Sequence, residues 1–113
     1  MKEIERRIIS KLLNLLIDAG YSLSVWDGES YAILYSRNVD DTLNAMGHTD
    51  KDTLQVSMPD ANDPYGNELG DIYLIYGNDG HDVIADDNVD PVLEPILDQV
   101  EAFANDLAAE ATP

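Results

Sequence analysis

The strongest strand signal in the chain lies in residues 71–76, which contain the run Ile72-Tyr73-Leu74-Ile75-Tyr76. Its β-branched and aromatic residues are those enriched in strands. The next four residues, Gly77-Asn78-Asp79-Gly80, predict a turn, and residues 82–85 then predict a short final strand. Upstream, residues 53–58 predict another strand, which the polar loop 59–70 separates from the strong one.

Two more strands are expected near the N-terminus. Over residues 21–26, Tyr21, Leu23 and Val25 alternate with Ser22, Ser24 and Trp26, and residues 30–36 are apolar on both faces. The pair Asp27-Gly28 lies between them and favours a tight hairpin turn. Because its two faces are both apolar, the second strand is expected at the centre of the sheet.

Residues 4–19 and 91–109 predict two long amphipathic helices, because their apolar residues recur at intervals of three and four. Asn38 is a suitable N-cap for a short helix over residues 39–46. Asp90 followed by proline suits the start of the last helix, but Pro95 indicates that the regular helix begins later or bends there. The tail, residues 109–113, is expected to fray.

These elements predict one α+β domain over residues 1–113. Strands that follow one another closely favour a mainly antiparallel sheet, here of about five strands. The long N- and C-terminal helices are expected to pack on one face of this sheet, together with a short middle helix.

Charge is the most unusual property of the sequence. The chain has 23 acidic and 6 basic residues, a net charge of −17. Residues 1–51 contain 8 acids and every Lys and Arg, whereas residues 52–113 contain 15 acids and no Lys or Arg. Such a field repels nucleic-acid phosphates and anionic lipids and attracts basic protein surfaces. We therefore expect no direct nucleic-acid or membrane binding, and a protein partner with a basic surface.

Several classes of chemistry lack the residues they need. The chain has no cysteine and no glycine pattern that cradles phosphates. His48 and His81 are not spaced as a metal pair, and the acids of residues 79–90 lack the calcium-hand spacing. His81 beside Asp82 remains an open alternative as a proton-transfer pair. The sequence therefore predicts a non-enzymatic protein without cofactor or metal.

The chain is expected to lie in the cytoplasm. The apolar run over residues 8–17 is interrupted by polar residues and is too short for a transmembrane span. No small-residue cleavage site of the Ala-x-Ala type follows this run, so no signal peptide is predicted.

The candidate partner-binding residues are carboxylates near the C-terminal end of the chain. Those on the last helix recur at intervals of four and three residues and share one solvent face. The candidates are Asp79, Asp82, Asp86, Asp87, Asp90, Glu94, Asp98 and Glu101. Trp26 is a second candidate, as an aromatic anchor for a protein partner.

Small size, lack of cysteine, extreme acidity and an ordered α+β pattern together resemble the phage-encoded anti-restriction and anti-CRISPR inhibitors. The resemblance is one of type over the whole chain, and because it includes no shared motif it assigns no residue. It implies an inhibitor in the host cytoplasm, which imitates nucleic acid and blocks the basic surface of a DNA- or RNA-binding defence protein. The alternative is an accessory or regulatory binding module whose acidity is an adaptation to solubility or high salt.

Overall fold

Five strands and three α-helices form the fold, in a computed structural model that describes residues 1–59, 63, 66–77 and 82–111. The elements, in chain order, are α1 (Glu3–Asp18), β1 (Ser22–Trp26), β2 (Tyr31–Ser36), α2 (Val39–Asn44), β3 (Lys51–Met58), β4 (Asn67–Ile75), β5 (Ile84–Val89), a single-turn 3-10 helix (Pro91–Leu93) and α3 (Glu94–Ala111). The strands make one sheet in the order β2-β1-β3-β4-β5, and every neighbouring pair is antiparallel. The predicted α+β class is therefore confirmed.

The core lies on one face of this sheet. Val25, Leu54 and Ile72 are successive cross-strand partners on β1, β3 and β4, and all three are fully buried. The buried residues of α1 and α3 belong to the same apolar cluster as this row. Since side chains alternate between the faces of a strand, Thr53 and Tyr73 lie on the opposite face, which we call the open face.

The helix starts follow from local hydrogen bonds. Asn38 caps α2 as predicted, because its side-chain Oδ1 accepts from the Asp41 N–H at 2.9 Å. Asp90 caps the 3-10 helix, and its Oδ1 accepts from the Val92 N–H at 3.0 Å. The α-helix proper begins only at Glu94, so Pro95 occupies a first-turn position where a missing N–H costs no intrahelical bond.

Three strand predictions need correction. β5 runs from Ile84 to Val89 rather than over residues 82–85, and β4 begins at Asn67, inside the predicted loop. β2 lies at an edge of the sheet rather than at its centre. Its pairing with β1 contains two register shifts, and Leu34 is left exposed by this irregular edge. Apolar composition thus misplaced β2, because bulged edge strands can expose such residues.

β4 and β5 approach each other unusually closely at Gly70. A Cβ added to this glycine would lie 2.2 Å from the carbonyl oxygen of Asn88 and 2.5 Å from Val89 Cα. Its φ of +132° is a further reason for glycine at this position. The residue before it, Leu69, accepts a 2.7 Å bond from the Asp90 N–H, which fixes the chain between β5 and α3.

We expect Gly70→Ala to destabilise the protein by about 3 kcal/mol or more, because backbone strain and a backbone clash act together. The matched control is Gly28→Ala, where φ is also positive (+104°) but no atom lies within 4 Å of the added Cβ. This control is expected to cost about 1–2 kcal/mol. Urea unfolding followed by circular dichroism measures both, and equal losses would contradict the close approach of β4 and β5.

Candidate functional site

The core row of the sheet ends in a carboxylate. The neighbour of Ile72 on β5 is Asp87, so the row that begins with Val25 and Leu54 reaches an acid at the edge strand. Asp87 is exposed, whereas the three apolar members of the row are fully buried. Because an ionised carboxylate is costly to bury without a partner, the helices do not close over β5 at this position.

A stripe of acids on α3 borders the same region. Glu94, Asp98 and Glu101 are all exposed, and their spacing places them on one side of the helix. Phe103 is two residues beyond Glu101, about 200° farther round the helix. Its ring lies under Lys11 Nζ of α1 at 5.7 Å from the centroid. Lys11 therefore contacts the side of α3 that faces away from these acids.

Between the two elements lies a depression of about 340 Å³, which we call the β5–α3 groove. Apolar residues from α1, β5 and α3 form its floor: Ile8, Ile84, Leu97, Val100 and Ala104. Acidic residues line both sides: Asp82, Asp86, Asp87 and Glu101. Asp86 is the cross-strand partner of Tyr73, so its side chain lies on the open face. No Lys or Arg is among the described residues that line the groove.

The structure thus brings together four of the predicted acids and separates others from them. Asp90, Glu94 and Asp98 are exposed but do not line the groove. Asp90 has the structural role of a helix cap, as described above, and Asp86 Oδ1 accepts from the Asp87 N–H at 2.8 Å. Asp79 lies outside the described residues.

Trp26 lies on another part of the molecule. It is half-buried on β1, and its ring meets Tyr31 edge-on, with centroids 4.9 Å apart and planes at 68°. The Tyr31 hydroxyl donates to Gln55 Oε1 at 2.9 Å. β3 and β4 separate β1 from β5 in the sheet, so Trp26 is not part of the β5–α3 groove. Its role as an anchor remains a prediction for the open face.

The described residues also bear on metal and membrane binding. In the part of the chain that the structure describes, no group of three His, Cys, Asp or Glu side chains is arranged to hold a metal ion. His48 Nε2 lies 2.8 Å from the Asn44 carbonyl oxygen, and His81 lies outside the described residues. None of the described helices is long and apolar enough to cross a bilayer.

Two buried carboxylates escaped the sequence-based predictions. Glu5 is fully buried, and its two oxygens accept from the Lys2 N–H at 2.7 Å and from the Gly77 N–H at 2.8 Å. Glu5 occupies the apolar face of α1, three residues before Ile8, and a carboxylate at such a position is the signal that could have identified it.

The second, Asp52, is 4% exposed at the start of β3. Its Oδ2 accepts from the Gly47 N–H at 2.9 Å and from the Tyr76 hydroxyl at 2.6 Å. Burial, and then the neighbouring Asp52, raise the pKa of Tyr76 far above its ordinary value, so this phenol remains a donor. Together Glu5 and Asp52 connect α1, the loop after α2 and the end of β4.

Asp71 on the open face is only partly satisfied. Its Oδ1 atom is buried and has no hydrogen-bond partner among the described residues, although the residue as a whole is half-buried. Burial, and then the charge of Glu68, raise the pKa of this carboxyl. Asp71 therefore opposes folding when it is ionised.

Comparisons with known proteins give no match: none to a family model, none to a curated protein and none to a solved structure. The geometry and charge of the chain itself are therefore the evidence for its function.

The half-buried Tyr76, whose hydroxyl bonds to the buried Asp52, and the exposed Tyr31 provide a matched pair of hydroxyl deletions. We expect Tyr76→Phe to lower the free energy of unfolding by about 1–3 kcal/mol, because it leaves the buried Asp52 carboxylate short of a donor. Tyr31→Phe removes an exposed hydrogen bond to the half-buried Gln55 and is expected to cost less than about 1 kcal/mol. Chemical denaturation of the two variants measures the difference, and the reverse order would contradict the role given to Asp52.

Asp71→Asn is expected to stabilise the protein at neutral pH, by less than about 1 kcal/mol because part of the side chain reaches solvent. Since the folded-state pKa is raised, the penalty is complete above that pKa and is lost as the pH falls through it. The gain should therefore shrink on acidification and vanish below the ordinary value of 3.8. Unfolding curves of both proteins across this range measure it, and a gain independent of pH would contradict the assignment.

Proposed function

We propose that this protein is a non-enzymatic binding module that presents an acidic surface to a basic protein, and that it inhibits a nucleic-acid-binding partner by occupying its basic surface. One observation carries the proposal. Exposed acids occur on β5, at Asp90 and on α3, beside the β5–α3 groove and along the helix. The chain after Lys51 contains no Lys or Arg. Such a surface speeds encounter with a basic partner.

The spacing of charges supports imitation of a nucleic-acid backbone. At about 1.5 Å per residue, the α3 stripe carries one carboxylate per roughly 5 Å of helix axis. One strand of duplex DNA carries one phosphate per about 3.4 Å. The stripe is therefore somewhat sparser than a phosphate backbone, and the acids on the rim of the groove add charge beside it.

The alternative function class has an observation of its own. Exposed acids also occur on elements far along the chain from β5 and α3, among them Asp18, Glu29, Asp40, Asp41 and Asp50. Charge spread over many elements is what an adaptation to solubility or high salt produces. A module of that kind would bind its partner without depending on the α3 stripe.

Capture of a partner at low salt distinguishes the two. The tagged protein is incubated with host lysate, eluted with a salt gradient, and the eluate is identified by mass spectrometry. We expect a nucleic-acid-binding protein that is released by salt and displaced by added DNA. The triple variant Glu94→Gln/Asp98→Asn/Glu101→Gln should weaken its binding about tenfold, because each lost charge contributes a fraction of the binding energy.

The matched control is Glu29→Gln/Asp40→Asn/Asp50→Asn, which removes three exposed acids from other elements. It should reduce binding by less than about twofold at the same salt concentration. Equal effects of the two triple variants would contradict a localised binding surface. If no basic protein is retained by wild-type protein that is demonstrably folded at low salt, the acidity is an adaptation and the inhibitor proposal fails.

A further inference from the structure

The β5–α3 groove combines two features that a merely solvated surface does not need. Its floor is apolar: Leu97 and Ile84 are half-buried against the core, whereas Val100 and Ala104 are 0% and 6% exposed. Asp87 points toward this floor, because its cross-strand partner Ile72 belongs to the core face. Asp82 and Glu101 line the groove beside it. A carboxylate at a core position thus lies beside half-buried apolar side chains at the edge of the core.

The volume of the groove limits what can enter it. About 340 Å³ is near the lower end of the range for small-ligand pockets, roughly 300–1,000 Å³. One long side chain fits such a volume, whereas a helix or a folded loop does not. The lining favours a side chain with an apolar stem and a cationic end, because the floor is apolar and the acidic Asp82, Asp87 and Glu101 line its sides.

We infer that the β5–α3 groove receives one arginine side chain of the protein partner. The inference depends on the proposed function and specifies its central contact. The alkyl stem of the arginine contacts Leu97 and Ile84, and the guanidinium bonds to Asp87 and Glu101 from opposite sides of the groove. Arginine fits better than lysine, since its planar guanidinium has five N–H donors and pairs with carboxylates through two parallel hydrogen bonds.

Asp87 has a competing explanation. A charge that points inward on an edge strand hinders pairing of that edge with another chain. This role needs the charge of Asp87 alone, and it involves neither Glu101 nor the apolar floor. The two explanations therefore predict different results for Asp87→Asn: loss of arginine binding in one case, and self-association of the protein in the other.

The test uses two peptides of equal charge, octaarginine and octalysine, with the full chain at low salt. Isothermal titration gives the affinity, and NMR shifts of assigned amide and methyl groups give the location. We expect octaarginine to bind at least about fivefold more tightly than octalysine. Its largest shifts should fall on Leu97 and Ile84.

Asp87→Asn and Glu101→Gln should each weaken octaarginine about tenfold. The controls Glu94→Gln and Asp98→Asn remove the same charge from the same helix outside the groove and should weaken it less than twofold. Size-exclusion chromatography with light scattering reports self-association of each variant. Spermine, a cation that is not part of a protein, is titrated in parallel and should produce smaller shifts at the floor than octaarginine.

Four outcomes overturn the inference. Equal affinity of the two peptides, equal effects of groove and control variants, or stronger floor shifts with spermine would each refute an arginine site. Self-association of Asp87→Asn with unchanged octaarginine affinity would assign Asp87 to edge protection. In all four cases the salt-dependent capture of a basic partner can still succeed, so failure of the groove inference is distinguishable from failure of the proposed function.

Discussion

The row of buried side chains that crosses the sheet through Val25, Leu54 and Ile72 is the constraint on which the rest of the structure depends. Each such residue contributes about 1.5–3 kcal/mol through burial, and the helices cover the sheet where this row runs. The row stops one strand before the edge, because β5 places Asp87 where the next apolar residue would stand. β5 therefore belongs to the sheet through its backbone and lies outside the core at this position, and the β5–α3 groove results.

Acids have two separate roles in this chain. Glu5 and Asp52 are buried and receive donors from backbone N–H groups and from Tyr76, which satisfies the polar groups that burial removes from water. The acids of β5 and α3 are exposed, and the carboxylates of Asp86 and Asp90 accept from backbone N–H groups. Because the buried acids and the exposed acids are different residues, variants that remove surface charge can leave the buried contacts intact.

The sequence predicted the element order and the α+β class, because both kinds of element leave a local pattern. Apolar residues recur at every second position in strands and at every third or fourth position in helices. β5 was misplaced because Asp86, Asp87 and Asn88 lack strand preference, and their position follows from pairing with Tyr73, Ile72 and Asp71. The acidic candidates could be identified from their charge, but the sequence does not predict the groove. Its existence requires the register of β5 and the packing of α3, and neither follows from composition. The carboxylate contacts of Glu5 and Asp52 likewise join residues far apart in the chain.

The central claim is that the acidic surface of β5 and α3 is the one that meets the partner. Carbodiimide cross-linking of the captured complex tests it most directly, because this reagent joins carboxylates to lysine amines only where the two proteins touch. Mass spectrometry then identifies the linked acids. The account predicts cross-links from Asp86, Asp87, Glu94, Asp98 and Glu101, while cross-links confined to Asp18, Glu29, Asp40 and Asp50, or spread evenly over both groups, would contradict it.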